Sequence, residues 1–142
     1  MTPKTSELTW LLTQFVKETS GARAALVTSR DGLLIAHHNL TDDGDATASR
    51  LSAITSGVLS LAKAASELLE GETAVNQILM DVGGGCLYIM AAGSGALFTV
   101  LASSEADPGV IGLESSLLIK RFPSDMSVPA RELTGTAGRP VQ

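Results

Sequence analysis

The sequence predicts an α/β (α+β) sandwich with elements in the order α-β-β-α-β-β-β-α. Three observations carry that expectation. The stretch from Ala46 to Leu69 repeats apolar residues at helical spacing. Asp31-Gly32 sits between two apolar runs, and glycine-rich breaks split three more apolar runs between Ala74 and Ala102. Asp-Gly between apolar runs is a strong hairpin signal, because tight two-residue turns need backbone angles that these residues tolerate.

Thr5 or Ser6 can cap a first helix that runs to about Glu18, with Leu8, Leu11, Leu12, Phe15 and Val16 as its core stripe. Trp10 lies off that stripe, beside Gln14 and Lys17, and is expected either against the closing helix or at a partner surface. Ala24 to Ser29 and Leu33 to His37 form the hairpin around Arg30-Asp31-Gly32. An acidic loop from Asn39 to Asp45 leads into the long helix, which Asp43, Gly44 or Asp45 can start and Glu70-Gly71 closes. Ala74 to Val82, Cys86 to Ala92 and Ala96 to Ala102 form a meander, turned at Gly83-Gly84-Gly85 and Gly93-Ser94-Gly95. Asp107-Pro108 opens a last helix to about Phe122, with Val110, Leu113, Leu117 and Leu118 expected inward. From Pro123 to Gln142 the periodicity ends, so the chain reads as one domain over residues 5–122 and a mobile tail over 123–142.

The long helix carries the strongest functional signal. Leu51, Ile54, Val58, Leu61, Ala62, Ala65 and Leu69 form an apolar stripe expected to pack on the sheet. A water-facing side would be charged, yet only Arg50, Lys63 and Glu67 carry charge there. Ser52, Ser56, Ser60 and Ala64 recur every four residues, with Ala53 and Gly57 beside them. Gly57 costs about 1 kcal/mol relative to Ala in mid-helix. A ridge of small side chains lets another backbone come close. The helix is therefore expected to be covered twice, by its own sheet and by a second chain.

Composition points the same way. The 142 residues are 44% hydrophobic and only 18% charged, with a mean hydropathy of +0.25. A polar surface that thin suits association. Fifteen acidic against ten basic residues give a net charge of −5, which argues against nucleic acid and anionic lipid as partners. The lone Cys86 forms no internal disulfide and reads as a buried thiol. No secretory leader pattern and no run of about 20 apolar residues is present, so a cytoplasmic protein is expected.

The search for chemistry finds little. His37 and His38 are adjacent on a strand and point to opposite faces, so they cannot chelate one ion together. Gly83-Gly84-Gly85 lacks the Gly-Lys-Ser/Thr of a phosphate loop, and Gly93-Ser94-Gly95 lacks the spacing and following helix of a nucleophile elbow. Asp42, Asp43 and Asp45 resemble part of a calcium loop without its closing Glu. Arg23 and Arg30, at loop ends, read as surface charge. No catalytic residue, cofactor or metal is expected, and no nucleophile–base pair can be assembled for a hydrolase or transferase.

The Asp31-Gly32-Leu33-Leu34-Ile35-Ala36 hairpin, the Ser/Ala/Gly-rich helix, Ala91-Ala92-Gly93-Ser94-Gly95 before Leu97 to Leu101, and the closing helix from Gly109 to Arg121 resemble the Roadblock family. The similarity spans about Leu8 to Phe122 and is greatest to the bacterial, dynein-light-chain-like branch encoded beside a small Ras-like GTPase and a sensor histidine kinase. It implies a five-stranded antiparallel sheet with one long helix on one face and two helices on the other. It also implies a homodimer in which the long helices lie side by side and the first meander strand pairs with its twin. Carried onto this chain, the dimer positions are Ser52, Ala53, Ser56, Gly57, Ser60 and Ala64 on the helix, with Val75, Gln77 and Leu79 on the strand. The implied function is a non-enzymatic scaffold that binds a small Ras-like GTPase and alters its nucleotide cycle without an arginine finger, with the sensor kinase as a further partner. The alternative is a small-ligand sensor with a pocket between sheet and helix, against which stands a core of Leu, Ile, Val and Ala with few polar groups to orient a ligand.

Overall fold

The computed structural model describes residues 3–41, 43–69, 74–93 and 95–124. The elements are α1 (Pro3–Glu18), β1 (Ala22–Ser29), β2 (Leu34–His38), α2 (Ala46–Ser66), β3 (Gln77–Val82), β4 (Gly85–Ala91), β5 (Ala96–Ser103) and α3 (Pro108–Ile119). The strands form one antiparallel sheet in the order β2-β1-β5-β4-β3. The five strands, three helices and their order match the sequence expectation. The expected tail from residue 125 onward, Asp42, Ser94 and the closing Glu70-Gly71 lie outside the described residues.

Alternation along the strands divides the core in two. Ala25, Val27, Tyr88, Met90, Phe98 and Val100 face α1 and α3, where they meet Leu8, Leu12, Phe15, Ile111 and Leu118. Phe98 meets Phe15 and Phe122 in near-perpendicular, T-shaped pairs at ring separations of 5.4 and 5.6 Å, an arrangement that aromatic quadrupoles favour. On the other face, Ala24, Leu26 and Leu34 pack under Ala48, while Leu87, Ile89 and Leu97 pack with Leu59. Hence α2 runs diagonally, from over β2 and β1 toward β4 and β3.

Two helices face differently from the expectation. The buried residues of α2 are Ala48, Ser52, Thr55 and Leu59, with Leu51 and Val58 of the expected stripe partly buried against the same core, whereas Ile54, Leu61, Ala65 and Leu69, expected inward, are exposed. The cause lies in the β1–β2 turn. Gly32, at φ +88°, comes so near α2 that an added Cβ would stand 3.0 Å from the Ser56 Cβ and 3.2 Å from the Ser52 carbonyl oxygen. Only small side chains permit that approach. The hydroxyls of Ser52 and Thr55 donate to the carbonyls of Ala48 and Ser52, at 2.8 and 2.9 Å, so their polarity is satisfied inside the helix. In α3 the inward residues are Ile111, Ser115 and Leu118, while Val110, Leu113 and Leu117, expected inward, are exposed. Apolar residues are spread around that helix rather than along one stripe, so its composition does not select a face.

The first helix begins at Pro3, ahead of the expected caps Thr5 and Ser6, while the other two starts follow local chemistry. Asp107 accepts from the Gly109 N–H at 2.8 Å ahead of Pro108. At α2 it is Asp43 that holds the first turn. One carboxylate oxygen accepts from the Thr47 hydroxyl at 2.6 Å, the other from its N–H at 3.3 Å. Hydrogen bonding by the Thr47 side chain, and next by that of Thr41, holds the Asp43 carboxyl below its usual pKa.

Candidate functional site

The features that stand out on the surface are apolar and adjoin one another. β3 is an edge strand, paired through Gln77–Val82 with β4 on one side only. Ile78 turns under α2 and is partly buried. Leu79 projects from the opposite face and is 49% exposed, because α1 and α3 do not reach so far. Met80 and Val82 are exposed as well. A lone edge strand with apolar side chains and a single charge, Asp81, lacks the lysines, prolines or bulges that keep such edges apart.

Above it, α2 outruns its own support. Leu59 is its last buried residue. Beyond it Ser60, Leu61, Lys63, Ala64 and Ala65 are exposed, Leu61 at 73%, and Leu68 and Leu69 in the following turn are exposed too. Together these leucines make the end of the helix an exposed apolar patch.

The residues expected at the interface separate into two groups. Ser52 is 0% exposed and faces its own sheet; the half-buried Ser56 donates to the Arg30 carbonyl at 3.0 Å. Ala53, Gly57, Ser60 and Ala64 are exposed on α2, and a Cβ on Gly57 would meet nothing within 4 Å. Gln77 and Leu79 are exposed on β3, with Val75 half-buried just before it. Ile54, Leu61, Met80 and Val82 join this surface without having been expected there. The helical period assigns Leu61 and Ile54 to the core stripe, while Met80 and Val82 give no signal beyond their place at the end of an apolar strand.

On the opposite side of the molecule, Trp10 is 55% exposed, which places it at the surface rather than against α3. His37 and His38 part as expected. His37 Nε2 lies 3.1 Å from an Asp45 carboxylate oxygen, and His38 Nδ1 lies 3.2 Å from the Thr13 hydroxyl on α1. Burial, then the neighbouring His37 and Lys17 charges, lowers the His38 pKa. Tyr88 has its pKa raised, mainly by burial and then by Cys86. Among the described residues no three His, Cys, Asp or Glu side chains are grouped to hold a metal ion, and no helix is long and apolar enough to cross a membrane.

Comparison with known proteins gives this surface a context. A Roadblock/LC7 domain from Streptomyces avermitilis is 32% identical, with 80% of this chain and 92% of that one covered and a TM-score of 0.72. The gliding protein MglB of Thermus thermophilus is 22% identical, with coverage of 86% and 90% and a TM-score of 0.74. An MglB in a tetrameric arrangement is 21% identical, with coverage of 86% and 89% and a TM-score of 0.75. At such identities the two MglB structures show a shared fold. No curated protein matches the chain in sequence. The Roadblock/LC7 domain model matches residues 8–102, from the α1 core stripe to the end of β5. With that match over most of the described fold, the chain belongs to the Roadblock/LC7 domain family.

Proposed function

We propose that this chain is a non-enzymatic, dimeric regulator that binds a small Ras-like GTPase and shifts its nucleotide cycle. The observation that carries the reading is the open β3 edge beneath the overhanging, apolar end of α2. Two copies joined along β3 would extend one sheet across both chains and give Leu79, Met80 and Leu61 the cover they lack. Ala53, Gly57, Ser60 and Ala64 would then meet the second helix, with Val75, Gln77 and Leu79 at the strand joint. Ser52 and Ser56 contribute from within, by holding α2 against its own hairpin.

The paired helices would form the docking surface for the GTPase. Such a surface regulates by binding one conformation better than another, and about 1.4 kcal/mol of difference is a tenfold effect. The tests are light scattering on the natural chain, then GTP hydrolysis and nucleotide exchange by a small Ras-like GTPase of the same genome, with and without this protein. A dimer that changes either rate supports the reading, and a monomer with no effect removes it. Arg23→Ala and Arg30→Ala should leave the effect largely intact. Loss of about a hundredfold or more with binding preserved would indicate an arginine finger in trans. Co-purification with a sensor histidine kinase, the further partner this reading includes, tests the wider assembly.

A further inference from the structure

The diagonal course of α2 leaves one corner of its sheet face uncovered. A cleft of about 440 Å³ opens there, between the α2 start and the adjacent ends of β1, β5 and β4. Its floor is apolar, with Ala24, Leu40, Leu87 and Leu101, while among the described residues Arg23 is the one charged side chain lining it. Among the described residues the Arg23 guanidinium has no carboxylate partner. The hydroxyls on the α2 side are already engaged, Thr41 donating to Thr47 and Thr47 to Asp43.

The lip of the cleft is held under strain. Asn39 and Thr41 both have left-handed backbones, at φ 68° and 40°, and flank Leu40, whose side chain is buried. Asn tolerates that conformation, and its side-chain amide donates to the Arg23 carbonyl at 2.7 Å. A β-branched Thr does not adopt it readily, and such strain gathers where loops frame ligands.

We propose that this cleft binds a small organic anion carrying one carboxylate and an apolar body of about eight carbons, a size suited to a pocket of this volume. The Arg23 fork takes the carboxylate, and the leucine floor takes the hydrocarbon. The cleft shares Val82 with the exposed β3 surface, but anion binding there requires neither a second copy nor a GTPase.

The test is calorimetry and saturation-transfer NMR on the full chain, with its assembly state measured in parallel, using octanoate, octanamide and octylamine as probes. Octanoate binds with a Kd below about 1 mM, and the two others at least about tenfold more weakly. Arg23→Gln lowers octanoate affinity about tenfold, and Arg23→Lys restores part of it. Gly84→Phe places a ring at the rim, where a Cβ meets nothing within 4 Å, and blocks binding while the circular dichroism stays unchanged. Equal affinity for the amide, indifference to both Arg23→Gln and Gly84→Phe, or no binding at about 5 mM overturns the proposal. Binding confined to a monomeric Gly57→Arg variant also overturns it, since a second copy would then occupy the corner.

Discussion

The two edge strands of this sheet, β2 and β3, have nearly the same length and opposite fates. In β2, Leu34, Ile35 and Ala36 are all buried, because α1 covers one face and the start of α2 the other. The strand then ends in two histidines, one engaged on each face. In β3 no side chain is fully buried, and apolar groups face outward on both sides. An edge that only needs to stay solvated is polar or blocked. The contrast teaches that β2 is covered within the chain on both faces and β3 is not.

The same division runs along α2, and the largest expected effect separates its halves. Ser52→Arg places a charge against the sheet with no partner and should cost about 3 kcal/mol or more, leaving little folded protein. Ser60→Arg, two turns on and exposed, should keep the monomer fold while light scattering reports loss of the dimer. Equal damage from both would erase the distinction. For the edges, Ile35→Ala should cost about 2–5 kcal/mol in urea unfolding. Leu79→Ala, measured at dilution where chains are separate, should cost less than about 0.5 kcal/mol. A large loss at Leu79 would mean that β3 is covered within the chain.

Smaller effects sharpen the picture. Gly32→Ala puts a Cβ into a left-handed position beside Ser56 and should cost about 1–3 kcal/mol by thermal melting. Unchanged stability would show that α2 can move off the hairpin freely. The weakest effect belongs to the covered edge. The His38 pKa is lower in the folded chain than its ordinary 6.5, so the unfolded chain takes up the proton first. Stability should therefore fall as pH drops through about 6.5. His38→Gln should flatten the profile between about pH 7 and 5.

Element order was legible because turns advertise themselves. Asp31-Gly32 and Gly83-Gly84 mark hairpins whatever surrounds them, and Asp107-Pro108 marks a helix start. Facing was harder to read. Ser52 and Thr55 look like solvent residues, yet their hydroxyls bond to carbonyls of their own helix and are fit to be buried. The ridge of small residues did signal a close backbone, but at Ser52 and Ser56 that backbone is the chain's own hairpin. In α3, Leu113 and Leu117 are no less apolar than Leu118, so only tertiary packing selects among them. The cleft was not visible as particular residues, because Arg23, Leu40, Thr47 and Leu101 meet only through the oblique course of one helix.

That oblique course also affects the lifetime of the chain. The last turns of α2 bury almost nothing of their own domain, so local opening there costs little free energy in a lone copy. Backbone amides from Ser60 to Ser66 should exchange with deuterium quickly in dilute samples and slow as concentration rises. A protease that cleaves transiently opened segments would find the same turns first in chains without a partner. The supply of usable protein would then follow assembly, since unassembled copies are the ones open to removal.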